Sequence, residues 1–381
     1  MTNDSSTIPK SAGVSRCISA QTNLSPNRPT SVALLSCWRL IVALFSGDFS
    51  VVLIVSLSQK NSKLAFYLKG LLSRLVPNQW FRQQLPSLLE LGGEGDLGYI
   101  EARVAYYNKR QAEFVVGGKA KTLLSLSSKQ QSAYYYDLRG VLRYFPRQAH
   151  FHHEFGDVIK VPEFPCILKS RPIAGDNHNS ILLKLNSVRH YVFVKDGTAF
   201  IDKKPMVVWR GKAKPNHPRS RLVQDWFRHP RCDVGQSNKP PIGDNPRKRK
   251  DTLSIEEQLQ FRYIISVEGN DVATNLKWIM SSNSLCFMPK PRYETWFMEG
   301  QLQAGVHYVQ LKNDFTDIEE HMDYYNANPS EALAIIANAN RWVEQFKNAN
   351  RERMISLLVM QKYLELSGQS GQTQVLVPSQ A

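Results

Sequence analysis

Between Thr252 and Tyr325 the hydrophobic period switches repeatedly between two and about 3.6 residues, and that alternation limits the folds open to this chain. Ser254-Ile255-Glu256-Glu257 fits a capping box, in which a serine hydroxyl and a glutamate carboxylate satisfy each other's free amides at a helix start. Tyr263 to Val267 (YIISV) reads as a buried strand, Glu268-Gly269-Asn270-Asp271 as a turn, and Ala273 to Met280 as a helix. Ser284 to Met288 and Val306 to Gln310 read as further strands, and Asp317 to Tyr325 as a helix. Asn328-Pro329 opens a long helix, with proline in the first turn, where its missing amide costs nothing. Strands alternating with helices imply a parallel sheet covered on both faces, so the fold class is α/β. In such sheets ligands bind beyond the carboxyl ends of the strands. YIISV runs through Glu268-Gly269 into a helix N-terminus, where free amides and the helix dipole attract an anion such as a diphosphate. Asn275 and Lys277 on the first turns add a donor and a charge. The glycine pattern at this junction is not GxGxxG, and GxxxxGK[ST] does not occur, so neither a dinucleotide fingerprint here nor an ATPase loop is present.

Upstream, Lys63 to Leu75 (KLAFYLKGLLSRL) spaces Leu64, Leu68, Leu71, Leu72 and Leu75 helically, with Lys69 and Arg74 elsewhere, until Pro77 stops it. Such a helix either packs on a core or lies on an anionic membrane. Trp80 to Leu91 reads as a second helix ending at Gly92-Gly93, Ile100 to Asn108 as a third, and Leu123 to Arg143 as helical or irregular. Phe164 to Leu168 is a strand running into KSRPIAGDNHNS (Lys169 to Ser180), a loop of the kind that carries binding residues. His190 to Phe200 reads as a hairpin on an Asp196-Gly197 turn. Val207-Val208-Trp209 is a strand that breaks at Arg210-Gly211. PRKRK (Pro246 to Lys250) resembles a nuclear-import run but reads as a solvated loop. Residues 1–30 are rich in Ser, Thr, Asn and Pro and are expected to be disordered. Ser31 to Ser58 is apolar but interrupted by Arg39 and Asp48, leaving pieces short of the roughly 18–20 residues that span a bilayer. It also starts too late for a secretory signal. An anchor, a buried element and an extension ahead of the folded domain stay open, and the extension is preferred.

The 48 Lys and Arg outnumber the 33 Asp and Glu to give a formal charge of +15. Arg189 to Lys250 holds 16 basic and 5 acidic side chains, a surplus of 11, so the middle third is where an anion is expected to be met. Five scattered cysteines without a CxxC pair argue against a disulfide framework or structural zinc and fit a reducing compartment. The nine histidines lack HExxH spacing, and His152-His153 are adjacent rather than i, i+4, so no metal site is expected.

At this point the residues carry a resemblance. LSIEEQLQFRYIISVEGNDVATNLKWIMSSNSLCFMPKPRYETWF (Leu253 to Phe297), followed by GVHYVQLKNDFTDIEEHMDYY, resembles the donor half of glycosyltransferase family 90. That family includes fungal capsule-associated xylosyltransferases, animal protein O-glucosyltransferases and bacterial lipopolysaccharide-modifying enzymes. VVWRG (Val207 to Gly211) resembles its tryptophan- or phenylalanine-Arg-Gly motif, and KSRPI, NSILLKLN and RHYVF are most similar to the bacterial branch. The resemblance spans roughly Lys63 to Lys347, and several motifs in order make it specific.

It implies a GT-B-like α/β architecture of two Rossmann-like halves facing across a cleft, behind a disordered or extraneous extension. The expected division is 1–59 extension, 60–187 acceptor-side domain, 188–327 donor-binding domain, 328–368 a C-terminal helix packing back, and 369–381 tail. It also implies inverting transfer of a hexose or pentose from a UDP-sugar to a hydroxyl of a lipopolysaccharide core or related glycan. Arg210 corresponds to the arginine that contacts the diphosphate, followed by Gly211, while Gly269, Asn275 and Lys277 occupy the loop and helix that hold it. The animal enzymes have arginine where this chain has Asn275, so Lys277 is the expected carrier of the charge. Glu294 fits a carboxylate for ribose or sugar hydroxyls.

Inversion needs a carboxylate that removes the acceptor proton. In the animal enzymes that aspartate directly follows the strand-end arginine, whereas here Arg171 is followed by Pro172. Asp176 in the same loop is the expected base, with Asp157 and Glu154 in reserve; Lys169, Arg171 and His178 complete the acceptor-side loop. No Asp-x-Asp motif occurs, so neither metal nor cofactor is expected and positive groups at the diphosphate are to do that work. The cationic helix and the surface charge imply peripheral contact with the inner face of a cytoplasmic membrane. Unpaired cysteines and an end without KDEL argue against protein glucosylation in the endoplasmic reticulum. Protein O-glucosyl or xylosyl transfer and a non-catalytic lectin-like member are the alternatives within the family. A nucleic-acid-binding protein is the alternative outside it, though no RRM, KH, zinc-finger or helix-turn-helix signature supports one.

Overall fold

The computed structural model describes residues 60–90, 97–126, 132–238 and 248–369. The expectations for residues 1–59, the Gly92-Gly93 stop, the start of PRKRK, and the tail beyond 369 lie outside the described residues. In chain order the first strands are β1 (Lys121–Thr122), β2 (His150–His153), β3 (Cys166–Leu168), β4 (Ser170–Pro172), β5 (Ser180–Leu182) and β6 (Lys204–Gly211). They are followed by β7 (Cys232–Gln236), β8 (Phe261–Ile265), β9 (Leu285–Pro289), β10 (Tyr293–Thr295) and β11 (Val309–Leu311).

The second half is built on a parallel sheet of order β11-β9-β8-β6-β7. Val207, Val208, Tyr263, Ile264, Ile265, Leu285 and Phe287 are all buried, the continuous apolar run that a strand covered on both faces requires. Helix Pro218–Trp226 packs beside β7, and Ile318–Ala327 and Pro329–Glu344 lie against the sheet, the latter opening on its proline. The capping box forms: Ser254 Oγ accepts from the Glu257 amide at 3.1 Å, and Glu257 Oε2 from the Ser254 amide at 2.6 Å. The chain leaves β6 toward β7 on one side, then returns to β8 on the other. The connections after β6 and β8 therefore diverge and open a crevice at their carboxyl ends.

The first half carries a smaller sheet of order β1-β2-β3-β5, in which β2, β3 and β5 are parallel and β1 antiparallel. Helices Leu97–Tyr107 and Ala133–Leu142 lie beside the last helix, Ala349–Leu366, which returns to this half. Its buried Glu352 pairs with Arg103 at 2.5 Å and accepts from Trp296 Nε1 at 2.5 Å, so the return is fixed by polar as well as apolar contacts.

Two expectations are corrected. His190 to Phe200 is not a hairpin: His190 ends helix Ser187–His190, and the following residues are irregular. Side chains capture the backbone groups that a ladder would have paired. The Val194 amide donates to Ser281 Oγ at 2.9 Å, and Asn283 Nδ2 donates to the Asp196 carbonyl at 2.9 Å and the Thr198 carbonyl at 3.1 Å. The start of KSRPI is not loop but β4, which pairs antiparallel with β10 and sets Arg171 opposite Glu294.

Helix Lys63–Leu72, extended by a 3₁₀ turn Ser73–Leu75, is held through Phe66 and Gly70 against Tyr136. A Cβ on Gly70 would run into the Tyr136 ring, so glycine permits this approach. None of the helix residues is buried, and Leu64, Leu68, Leu71 and Leu75 are exposed. Among the described residues no helix is long and apolar enough to cross a membrane.

Candidate active site

A pocket of about 390 Å³ occupies the crevice beyond β6 and β8. Trp209 to Lys212, Lys214, His217 and Arg219 line it from the β6 side, Gly269 to Val272 and Asn275 from the β8 side, and Asp157, Arg189 and His190 from the first half. A larger groove of about 640 Å³ runs along Pro218–Trp226, but none of the strand-end residues of β8 reaches it. Position in the sheet, not volume, marks the smaller one.

Arg210 leaves the end of β6 and is braced by the neighbouring strand. Its Nη2 lies 2.7 Å from Asp233 Oδ1, and its Nη1 donates to the Asp233 carbonyl at 2.6 Å. Burial pushes the Asp233 carboxyl up, but Lys250 and Arg210 together hold it below its ordinary value. Gly211 is required by the fold of its own neighbour, since a Cβ there would stand 2.7 Å from the Trp209 ring. Across the pocket, the Gly269 amide donates to the Asp271 carbonyl at 2.8 Å, and the Gly269 carbonyl faces His217 Nε2 at 3.0 Å. Arg219 is anchored on the Val267 carbonyl at 2.7 Å and stands beside Gly269, where a Cβ would reach its Nη2 at 3.0 Å. Among the described residues Arg189, Lys212, Lys214 and Arg219 line the pocket without a salt bridge to a carboxylate.

The acidic wall is built around Lys169. Its buried Nζ lies 2.6 Å from Asp157 Oδ1 and 2.7 Å from Asp271 Oδ2. Ser170 Oγ donates to Asp271 Oδ2 at 2.6 Å, and Asn270 Nδ2 to Asp157 Oδ2 at 3.0 Å. Partial burial pushes Asp157 up, but the Lys169 hydrogen bond and charge and the Asn270 donor hold it below its ordinary value. Asp271 is pushed up, because its burial outweighs Lys169 and Ser170. Asp157 is therefore an ionised carboxylate with 30% of its side chain accessible, and Asp271 is buried behind it.

The structure thus brings Arg210, Gly211, Gly269 and Asn275 together, with Lys169 beneath them, and leaves five other candidates elsewhere. Asp176 has 79% of its side chain exposed; it is tied to His178 in the turn after β4 and shares a surface recess with Arg110. Gly175, at φ +80°, turns that loop outward. Arg171 and Glu294 are buried against each other, Nε to Oε1 at 2.7 Å, and the Tyr106 hydroxyl also reaches Glu294. Lys277 is fully buried and paired with Glu299, so its charge is already matched. Asn275 spends its side chain on the Ile265 carbonyl at 3.0 Å and on Ser266 Oγ, and its helix, Leu276–Met280, is too short to contribute much dipole. Arg189 and His190 open the RHYVF motif but were not named as site residues, and Lys212, Lys214, His217 and Arg219 lie in none of the motifs, yet the charge surplus from Arg189 onward pointed at this wall. Among the described residues no group of three or more His, Cys, Asp or Glu is placed to hold a metal ion.

The model of Glycosyl transferase family 90 matches residues 183–374, which include β6 to β11 and the pocket loops between them. O-glucosyltransferase LpsA of Dichelobacter nodosus is 46% identical over 311 residues, covering 80% of this chain and 96% of that protein. Protein O-glucosyltransferase 3 of Homo sapiens is 24% identical over 178 residues, covering 44% of this chain and 34% of that protein. A parallel sheet with a cationic pocket at its switch point, a family match across that sheet, and a relative aligned along nearly its full length together make this chain a member of glycosyltransferase family 90, and so a glycosyltransferase.

Proposed function

We propose that the chain transfers a sugar, with glucose the first candidate, from a UDP-sugar to a hydroxyl of a lipopolysaccharide-core or related glycan, with inversion at the anomeric carbon. One observation carries this reading: a carboxylate, Asp157, faces unpaired cations across a single pocket at the β6/β8 switch point. The diphosphate belongs to the cationic side, against Arg210, Arg219 and Lys214, where fixed positive charge stabilises the negative charge of the leaving group. The nucleoside fits the adjoining pocket of about 260 Å³ at the ends of β8 and β9, where Val267, Val272, Leu276 and Met288 offer apolar walls and Tyr293 a ring. Asp157, rather than Asp176, is the general base. Its carboxylate takes the acceptor proton as the hydroxyl oxygen bonds to the anomeric carbon. The bond from that carbon to the diphosphate oxygen breaks, and its electron pair leaves with UDP. Lys169, shared with Asp271, fixes the carboxylate's orientation. No step needs a divalent cation.

The same reading takes the two sheets as the halves of a GT-B-like enzyme, divided near residue 187, with Pro329–Glu344 kept on the second half and Ala349–Leu366 returning to the first. It also places the enzyme on the cytoplasmic face of an anionic membrane. Exposed Leu64, Leu68, Leu71 and Leu75 stand among cations: Arg353 lies near Lys69, and Arg74 and Arg147 near Arg139. Among the described residues none of these cations forms a salt bridge to a carboxylate, as suits lipid headgroups. The glucosyl element follows the names of the relatives, and the lipopolysaccharide acceptor follows the resemblance of KSRPI, NSILLKLN and RHYVF to the bacterial branch.

The test offers purified enzyme a panel of UDP-sugars with truncated lipopolysaccharide or folded cysteine-rich protein domains, with and without EDTA. Transfer to lipopolysaccharide from UDP-glucose, unchanged by EDTA, is expected. Transfer to the protein domains alone overturns the acceptor, and loss with EDTA overturns the metal-independent mechanism.

A further inference from the structure

His190 lines the pocket from the first half of the chain, as Asp157 does, at the end of the short helix Ser187–His190. The helix is fixed in place by Asp137, which accepts from the Ser187 amide at 2.7 Å and from its hydroxyl at 2.8 Å. His190 is 2% exposed, yet neither Nδ1 nor Nε2 has a hydrogen-bond partner among the described residues. Leaving one buried polar atom unmatched costs about 1–3 kcal/mol, and most buried polar groups in native proteins are matched. Two unmatched atoms on one ring that lines a ligand-sized pocket point to a ligand that supplies the match.

We propose that His190 is a sugar-recognition residue, whose imidazole exchanges hydrogen bonds with a hydroxyl of the sugar being transferred. The inference rests on the UDP-sugar reading and adds to it the group that senses the sugar. Two arguments choose the sugar over the diphosphate. The first is position. In an in-line displacement the sugar lies between the leaving diphosphate and the base, so a side chain on the Asp157 wall meets the sugar, whereas Arg210 and Arg219 face the phosphates. The second is chemistry. A neutral imidazole has one donor and one acceptor, and a hydroxyl has the same complement; a diphosphate only accepts. Burial, followed by the charges of Lys277, Lys169 and Arg189, holds His190 in that neutral form.

The test compares UDP and UDP-glucose binding by calorimetry, together with turnover, for the wild-type enzyme, His190→Ala and His190→Asn. Asparagine keeps a donor and an acceptor and guards against a fold defect in the alanine variant; thermal melting checks both. His190→Ala should leave UDP affinity within about twofold while weakening UDP-glucose at least about tenfold, the ratio that about 1.4 kcal/mol produces. His190→Asn should recover part of the loss. Equal weakening of UDP and UDP-glucose, or no change in either, overturns the inference while leaving the donor site standing. A wild-type enzyme that binds neither overturns the donor reading itself.

Discussion

Asp157→Asn removes one negative charge and keeps the shape of the side chain, so it separates the base from everything that merely holds the pocket together. In the wild-type protein the carboxylate accepts from Lys169 at 2.6 Å and from Asn270 at 3.0 Å. Lys169 keeps its second carboxylate, Asp271 at 2.7 Å, so the substitution strands no buried charge. With 30% of the side chain accessible, the cost to stability should stay near 1 kcal/mol, the lower end for a charged hydrogen bond. The sign is fixed by the direction of the shift. The carboxyl is held below its ordinary value in the fold, so its stabilisation is full above the unfolded value and fades as pH falls through the folded one. Wild type and variant should therefore differ in stability at pH 7 and converge in strong acid. Turnover should fall by about two to four orders of magnitude, the range for loss of a general base, which is about 2.7–5.4 kcal/mol of barrier. Coupled UDP-release kinetics measure the loss, and calorimetry with UDP should show affinity within about twofold. Asp176→Asn, altering a side chain bonded only within its own turn, should run near the wild-type rate. The reasoning fails if Asp157→Asn retains a third of the turnover, or if Asp176→Asn produces the large drop instead.

Glu294→Ala should unfold the protein several degrees earlier, because removing one partner of a fully buried pair typically costs about 3–5 kcal/mol and leaves Arg171 uncompensated. UDP affinity of the folded fraction should survive; a selective loss of UDP binding with an unchanged melting temperature would instead return Glu294 to the donor site. Leu68→Glu with Leu71→Glu, on the exposed helix face, should abolish co-flotation with anionic vesicles while leaving turnover on a soluble acceptor intact. Undiminished flotation would remove that helix from the membrane contact.

The parallel sheet was legible because its evidence is local. YIISV, the Ser254 capping box and Pro329 each act through residues a few positions away; the box and the proline formed where the sequence put them, and the strand, Phe261–Ile265, lies two residues earlier than expected. The acceptor-side loop was not. Arg171 and Lys169 read as acceptor-side loop residues because the carboxylates that neutralise them, Glu294 and Asp271, lie 123 and 102 positions downstream. The hairpin failed for a related reason: an Asp-Gly turn signal has no way to register that Ser281 and Asn283 will claim the same backbone. Periodicity reports what a segment prefers by itself, and a buried polar contact across a hundred residues leaves no periodicity at all. The one long-range feature that did show was the charge surplus from Arg189, since like charges concentrate whether or not their partners are known.

The charge balance takes on meaning from which cations are matched. Lys169 beneath the pocket, and Arg171 and Lys277 away from it, are each buried and each matched by at least one carboxylate. Burial forces this, since a lone cation in the interior loses its hydration without return. Arg189, Lys212 and Lys214 are exposed and keep their hydration, Arg219 is partly covered and anchored on carbonyl oxygens, and these four are left without a carboxylate around the pocket. A neutral floor under a positive rim attracts an anion to the rim and leaves the interior wall, with Asp157 and His190, to the uncharged part of the ligand. A nucleotide sugar has that polarity, two phosphates beside a polyol. A free nucleic acid would leave Asp157 facing the phosphate of the next nucleotide, charge against charge, at the point where the pocket narrows onto its acidic wall.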